Sequence, residues 1–138
     1  MSITVPVEEF TTPDPITATE DMTIDQLRLL MEEYGIRHLP VLRGATVIGV
    51  ISERDVRLVS GLTATEKLQV RAADIMATPP VTVNARTPLD EVAYTMAEKK
   101  VGSVIVNDES GKFLGVFTAT DALNALIEII RQGGKPVS

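Results

Sequence analysis

The chain contains two copies of one unit. Pro15-Ile16-Thr17 returns as Pro80-Val81-Thr82, and Gly49-Val50-Ile51-Ser52 returns as Gly115-Val116-Phe117-Thr118. The first segments are 65 residues apart and the second 66, so one copy has gained a residue between them. The gain falls in a glycine-containing stretch, where a surface turn accepts an insertion. The sequence must therefore fold as two similar repeats.

The pattern within each copy predicts a strand, a helix, two strands and a second helix. Proline and β-branched residues favour short strands at 15–19 and 80–84. A helical apolar stripe follows each strand, and in the second copy Thr87 is predicted as the N-cap and Pro88 as the first helical residue. Two apolar runs around a glycine turn then predict adjacent strands.

The predicted fold class is therefore α/β (α+β), built from two β-α-β-β-α repeats. The repeats are expected at 7–60 and 72–132, with a linker at 61–71 that is a loop or a short helix, and a flexible tail at 133–138. The last helix has more apolar residues than a terminal helix normally buries. This surplus favours contact with a partner subunit.

The composition excludes several classes of function. With 44% hydrophobic and 23% charged residues, the chain resembles an ordinary globular protein. It lacks a long apolar stretch and a signal peptide, so we expect a soluble, cytoplasmic protein without a membrane segment. The absence of cysteine and the single histidine argue against disulfides and a multi-histidine zinc site, and we expect no metal site. A net charge of −6 and the lack of Trp argue against nucleic-acid binding.

The strongest candidate for chemistry is the sequence Gly-x-x-Ser/Thr-x-x-Asp, which joins a strand to a helix in both copies. It places Ser52 with Asp55 and Thr118 with Asp121. A capping box explains a hydroxyl followed by an acid three residues later. However, Asp is shorter than the usual Glu or Gln, and the pair recurs in both repeats. A helix N-terminus suits phosphate and a carboxylate can accept ribose hydroxyls, so a nucleotide site is the competing interpretation.

A second candidate lies where the preceding strand of the first copy begins. Arg37, His38 and Arg54 could contact phosphate, although ordinary surface charge and a hydrogen-bonded strand histidine are the commoner explanation of such residues. The matching positions in the second copy are Gly102, Ser103 and Thr120. That copy is therefore expected to hold phosphate charge less well, while glycine permits close approach of a ligand to the backbone.

These residues resemble a tandem pair of cystathionine-β-synthase (CBS) domains, a Bateman module. The resemblance rests on the repeated unit, on Asp74-Ile75-Met76 leading into Pro80-Val81-Thr82-Val83, on the strand Ile36–Val41 and on the two Gly-x-x-Ser/Thr-x-x-Asp turns. The first copy departs from the pattern, since it opens with Glu9-Phe10-Thr11. The resemblance implies repeats packed with pseudo-twofold symmetry and two clefts between them.

The resemblance also implies a function. Such modules bind AMP, ADP, ATP, S-adenosylmethionine or related adenosine ligands in the clefts as regulatory ligands, without catalysis, and pass a conformational change to an effector, here unknown. It further implies a homodimer in the form of a flat disc. The acids would hold ribose, the hydroxyls would lie near ribose or phosphate, and the backbone around Thr17 and Thr82 would meet adenine. The implied ligand-binding residues are Thr17, Arg37, His38, Pro40, Ser52, Arg54, Asp55, Thr82, Gly102, Ser103, Thr118, Thr120 and Asp121.

Three alternatives remain at this stage. The first is a structural homodimerisation module that binds no ligand and uses its turns only to cap helices. The second is a phosphate-ester hydrolase that uses His38 with Asp55, although no nucleophile elbow, Walker loop or Gly-x-Gly-x-x-Gly sequence is present. The third is divalent-cation sensing through acidic side chains, which the net charge permits but the spacing does not support.

Overall fold

A computed structural model describes residues 4–133 of the chain. Residues 134–138 of the predicted flexible tail lie outside this range. The fold is mixed α/β, which confirms the predicted class. A 3-10 helix at Val7–Phe10 is followed by β1 (Thr12–Pro13), β2 (Ala18–Thr19), α1 (Ile24–Tyr34), β3 (His38–Arg43), β4 (Thr46–Ser52), α2 (Glu53–Val59), α3 (Ala64–Lys67), α4 (Ala72–Ile75), β5 (Thr82–Asn84), α5 (Leu89–Lys99), β6 (Ser103–Asn107), β7 (Phe113–Thr118) and α6 (Ala119–Gly133).

The chain divides into two compact units, which we call the first and the second unit. The first unit is Asp14–Val81, and the second combines residues 4–13 with 82–133. The residues that open each predicted repeat, 7–13 and 72–81, therefore lie in the unit formed by the rest of the other repeat. The predicted repeat boundaries therefore follow the repeated sequence and do not coincide with the two packed units. The boundaries stay a prediction.

The first unit is built on a three-stranded sheet in the order β2-β3-β4. Strand β2 runs parallel to β3, and β3 pairs with β4 as an antiparallel hairpin. Helix α1 turns an apolar face inward because Ile24, Leu27 and Met31 follow helical spacing, and all three are buried with Leu39 and Ile51. Burial on both faces of the sheet explains the nearly continuous apolar runs of β3 and β4.

The second unit repeats this plan around a four-stranded sheet in the order β1-β7-β6-β5. Strands β5 and β6 are parallel, β6 and β7 are antiparallel, and β1 adds an antiparallel edge to β7. Val92, Val104, Ile105 and Phe117 are fully or almost fully buried. The two units thus have the same order of strand, helix, hairpin and helix, and they bury side chains of equivalent elements.

Two details of the helix boundaries were open or wrong in the sequence prediction. The linker contains the short helix α3, which Thr63 caps through a reciprocal pair of hydrogen bonds with Glu66. The prediction that Thr87 caps α5 is wrong, because Pro88 occupies the N-cap with extended backbone angles and Leu89 is the first helical residue. The Leu89 amide donates instead to the Val5 carbonyl at 2.7 Å, which moves the start of the helix by one residue.

Candidate functional site

The Gly-x-x-Ser/Thr-x-x-Asp sequence forms the junction of β4 with α2 in the first unit. Ser52 is the N-cap of α2 and accepts a hydrogen bond from the Asp55 amide at 3.1 Å. The Ser52 amide donates in return to Oδ2 of Asp55 at 2.9 Å. Both side chains are half-buried. The junction is a complete capping box held at the end of a buried strand.

The second unit contains the same junction between β7 and α6. The Asp121 amide donates to Oγ1 of Thr118 at 3.2 Å, and the Thr118 amide donates to Oδ2 of Asp121 at 2.9 Å. The threonine hydroxyl also donates to Oδ2 at 3.0 Å. Both acids reach back to the N-cap amide, so the shorter side chain of Asp does not count against a capping box at either junction.

Capping uses only half of each carboxylate. In the described part of the chain, Oδ1 of Asp55 and Oδ1 of Asp121 accept no hydrogen bond. A carboxylate has about four lone-pair positions, so a capping role leaves capacity for further donors. The two interpretations drawn from the sequence are thus compatible in the same residue.

The first strand of each hairpin brings further predicted residues to the junction. His38 is the partner of Ser52 across β3 and β4, and Ser103 is the partner of Thr118 across β6 and β7. The Glu53 amide donates to the Arg37 carbonyl at 2.7 Å. The Ala119 amide donates in the same way to the Gly102 carbonyl at 2.9 Å. Each junction is therefore tied to the start of the neighbouring strand.

The remaining predicted residues lie on the other side of that strand or on the helix. Thr17 directly precedes β2, whose Ala18 pairs with Val41, and Thr82 is the first residue of β5 and pairs with Ile105. Pro40 is buried within β3 and has no N–H to offer to either neighbouring strand. Arg54 and Thr120 are exposed in the first turns of α2 and α6.

The first unit thus gathers Thr17, Arg37, His38, Pro40, Ser52, Arg54 and Asp55, and the second gathers Thr82, Gly102, Ser103, Thr118, Thr120 and Asp121. The two sets differ in charge, since two arginines belong to the first and no cation to the second. Ser103 is the only buried polar residue between positions 4 and 133. The pairing of these residues is equivalent in the two units, but their electrostatics are not.

The positive charge of the first junction is partly neutralised. Glu53 lies 3.7 Å from the Arg37 guanidinium and 2.5 Å from that of Arg57. Within residues 4–133, Arg54 has no ion-pair partner. Burial lowers the pKa of His38, while the Asp55 carboxylate opposes the shift, so the imidazole is neutral at pH 7. Glu53 was not among the predicted site residues; the signal that the sequence offered for it was an acidic residue directly after Ser52.

The glycine of each motif has a structural role that the sequence pattern did not reveal. A Cβ atom on Gly115 would overlap the Thr12 carbonyl oxygen, and one on Gly49 would lie 2.9 Å from the Ala77 carbonyl oxygen. Val50 and Ala77 form an antiparallel bridge, as Val116 and Thr12 do in the second unit. Because glycine has no Cβ, the backbone near Ala77 can pack closely against β4 and the backbone near Thr12 can pack closely against β7.

The described residues form neither a candidate metal cluster nor a membrane-spanning helix. No group of three or more His, Cys, Asp or Glu side chains between residues 4 and 133 is arranged to hold a metal ion. Over the same range, none of the helices combines the length and apolar character that a bilayer crossing needs.

Comparison with known proteins supports the resemblance. The family model described as "CBS domain" matches residues 7–60 and again 72–128. An inosine-5'-monophosphate dehydrogenase of Korarchaeum cryptofilum is 33% identical over 114 residues, which are 83% of this chain and 23% of the dehydrogenase. The chain therefore spans less than a quarter of that enzyme.

Two solved structures have the same fold. CBSX2 in complex with AMP superposes with a TM-score of 0.78 at 26% identity, covering 91% of this chain and 98% of that one. A putative acetoin utilization protein from Vibrio cholerae superposes with a TM-score of 0.82 at 23% identity, covering 97% and 100%. The predicted resemblance is confirmed, and the chain belongs to the CBS domain family as a tandem pair.

Proposed function

We propose that this chain is a non-catalytic regulatory module that binds an adenosine-containing ligand at one or both junctions. The observation that carries the proposal is the repeated aspartate, which is half-buried, fixed through Oδ2 and free to accept through Oδ1. A carboxylate fixed in this way suits vicinal hydroxyl groups because it accepts without first having to be ordered. The binding of AMP by CBSX2, the similar solved protein, supports this ligand class.

The charge of the two junctions favours different parts of such a ligand. Among residues 4–133, Arg54 has no ion-pair partner, and the Arg37 side chain is 80% exposed with only a long contact to Glu53. These guanidiniums suit a phosphate group. The neutral His38 would contribute a hydrogen bond rather than charge. The second junction offers hydroxyls, a carboxylate and the exposed Gly102 backbone. We therefore propose AMP, ADP or ATP at the first junction, and a weaker preference for phosphate at the second.

In this proposal, the ligand acts by shifting a conformational equilibrium. A ligand changes the equilibrium only by its difference in affinity for the two states. An effector protein of unknown identity would read the change, and the predicted homodimer would extend it to a second copy. The predicted position of the ligand in a cleft between the repeats also belongs to this proposal.

A thermal-unfolding screen tests the proposal. The panel is AMP, ADP, ATP, S-adenosylmethionine, NAD, cyclic di-AMP and Mg²⁺, because adenosine is common to most of them and the cation tests the alternative drawn from net charge. A ligand at 100 times its dissociation constant stabilises the folded state by about 2.7 kcal/mol, which raises the midpoint measurably. A response to Mg²⁺ alone, or to no member of the panel, would contradict the proposal.

One observation favours a second candidate, a structural homodimerisation module. Helix α6 exposes Leu123, Leu126, Ile127 and Ile130, each between 47% and 62% accessible. If the chain is such a module, we expect the midpoint of its thermal unfolding to be unchanged by every nucleotide of the panel. It also predicts that Asp55→Asn and Asp121→Asn change stability alone, whereas the ligand-binding module predicts loss of the nucleotide-dependent shift.

A further inference from the structure

The single histidine of the chain lies at the junction of the first unit. His38 begins β3 and is the cross-strand partner of Ser52 in β4. Residues directly opposite each other in an antiparallel pair lie on one face of the sheet, with their Cβ atoms about 5 Å apart. The imidazole is therefore beside the hydroxyl that caps α2. Histidine is also the side chain whose ordinary pKa allows a change of charge between about pH 5 and pH 8.

The ring of His38 is available to a ligand. In the described part of the chain, neither ring nitrogen makes a hydrogen bond, although the residue is half-buried. The hydrogen-bonded strand histidine that the sequence offered as an explanation is therefore not what the structure contains. A half-buried polar group without a protein partner needs another explanation, and contact with a bound molecule is one.

The equivalent position of the second unit cannot change its charge. The offset of 65 residues places Ser103 there, and Ser103 pairs with Thr118 across β6 and β7 as His38 pairs with Ser52. The two junctions thus share their backbone pairing but differ in one titratable group. A small neutral side chain is sufficient to form such a junction, so the imidazole is not required by the fold.

Groups of both signs act on the imidazole. Burial has the largest effect and lowers the pKa of His38, and Arg37 lowers it further, while Asp55 and Glu53 on α2 act in the opposite direction. Arg54, in the first turn of α2, is a further positive charge and has no ion-pair partner in the described part of the chain. The ring is neutral at pH 7 in surroundings where an added negative charge would favour its protonation.

We propose that the first junction binds a phosphorylated adenosine ligand more tightly as the pH falls, because His38 takes up a proton from the solvent together with the phosphate group. This proton linkage rests on the proposed function, in which Arg37, His38 and Arg54 contact the phosphate. A phosphate monoester carries between about 1.5 and 2 negative charges at pH 7 and favours cationic donors. At pH 7 the ring supplies a hydrogen bond, and at lower pH it supplies charge as well.

The direction of the effect follows from the two protonation states of His38. A ligand that raises the pKa of a group binds the protonated form more tightly. Affinity therefore rises as the pH falls through the pKa of the complex, and it levels off below the lower pKa of the free chain. A rise of about one pH unit limits the gain in affinity to about 10-fold. Binding at the second junction, with Ser103 in place of histidine, should lack this dependence.

NMR titration measures the change of protonation directly. Because the chain has one histidine, its imidazole signals report the pKa of His38 without further assignment. The full chain is titrated from about pH 8 to about pH 5 alone, with saturating AMP and with saturating adenosine. We expect AMP to raise the pKa of His38 by about one pH unit, and adenosine, which has no phosphate, to leave it unchanged. The same pKa in all three samples, or an equal rise with adenosine, would overturn the proton linkage.

Calorimetric titration with AMP measures the consequence for affinity. An Asp121→Asn background confines tight binding to the first junction, and His38→Ser installs there the residue of the second repeat. The phosphate of AMP takes up its own proton at about pH 6, but this contribution is the same with and without His38 and cancels in the comparison. Between about pH 7.5 and pH 6, we expect affinity to rise about 4-fold more with His38 than with serine. Equal pH profiles would overturn the linkage.

The proton linkage and the proposed function fail in different ways. If AMP binds and stabilises the chain but leaves the pKa of His38 unchanged, the linkage is wrong and the proposed function stands. If neither AMP nor adenosine shifts the thermal midpoint at any pH, both are wrong. A His38→Gln variant, which keeps a neutral polar side chain, should bind AMP with the shallow pH profile of His38→Ser; the steep profile of the wild type in this variant would also overturn the linkage.

Discussion

Substituting the motif glycines tests whether the opening segment of each repeat is packed against the last strand of a sheet. A Cβ on Gly115 would overlap the carbonyl oxygen of Thr12 and lie 2.9 Å from the methyl group of Thr11. One on Gly49 would lie 2.6 Å from the sulfur of Met76 and 2.9 Å from the carbonyl oxygen of Ala77. Gly61 has no atom within 4 Å of its would-be Cβ, so it serves as the control.

The geometry predicts a graded loss of stability. Overpacking typically costs about 1–3 kcal/mol, and Gly115→Ala should reach about 3 kcal/mol because its obstacle is backbone in the β1–β7 pair. Gly49→Ala should cost about 1–2 kcal/mol, since the Met76 side chain can rotate away while the Ala77 carbonyl cannot. Gly61→Ala should stay within about 0.5 kcal/mol of the wild type, or stabilise slightly by restricting the unfolded chain.

Equilibrium unfolding in urea measures these differences. The chain has no Trp, so circular dichroism of the helices is the suitable signal. Hydrogen exchange at the Val116 amide and its neighbours should show local opening of the β1–β7 pair in Gly115→Ala. If Gly115→Ala were as stable as Gly61→Ala, or if Gly49→Ala were the most damaging of the three, the close packing of residues 4–13 and 71–81 in their units would be refuted.

Three further predictions concern helix ends and pH. Gly35 ends α1 with φ of 62° and Lys100 ends α5 with φ of 56°, both in the left-handed region that favours glycine. In urea unfolding, Lys100→Gly should therefore raise the free energy of unfolding by about 1 kcal/mol and Gly35→Lys should lower it by about as much; a change of the same sign in both variants would contradict the left-handed C-caps. Ser52→Ala and Thr118→Ala should each lose about 1 kcal/mol with the N-cap, and no loss in thermal unfolding would argue against the caps. Burial lowers the pKa of His38, so below about pH 6.5 the unfolded chain binds more protons than the folded chain does. The free energy of unfolding should therefore fall as the pH drops from 7 to about 5.5, and it should fall less in His38→Gln; identical pH profiles of the two proteins would refute this.

Much of the fold could be predicted because local pattern and packing agree. The apolar residues at helical spacing in α1 and α5 are those that the structure buries, including Leu27, Met31, Val92 and Met96. The hairpins follow from apolar runs that end at glycine, and Gly44 and Gly111 both have positive φ. The two junctions also form where the hydroxyl and acid recur in the sequence.

The features that could not be predicted depend on contacts between segments far apart in the sequence, and no local sequence pattern indicates those contacts. Residues 4–13 have neither helical nor strand periodicity, so nothing in them indicates that they pair with β7. Pro88 becomes an N-cap because Val5 accepts from Leu89, a contact between segments far apart in sequence. The pairing of Arg37 with Glu53 likewise depends on the strand-to-strand register that brings them together.

The central claim is that Asp55 and Asp121 accept hydroxyl groups of a bound adenosine ligand through the oxygen that capping leaves unused. A calorimetric titration with AMP and with 2'-deoxy-AMP tests this on the wild type, on Asp55→Asn and Asp121→Asn, and on the exposed control Glu109→Gln. A charge-assisted hydrogen bond contributes about 1.5–3 kcal/mol, so we expect AMP affinity to fall about 10- to 100-fold at the substituted junction, with the preference for AMP over the deoxy analogue lost there. Unchanged AMP affinity in both Asp variants, or equal binding of the two nucleotides by the wild type, would contradict the account.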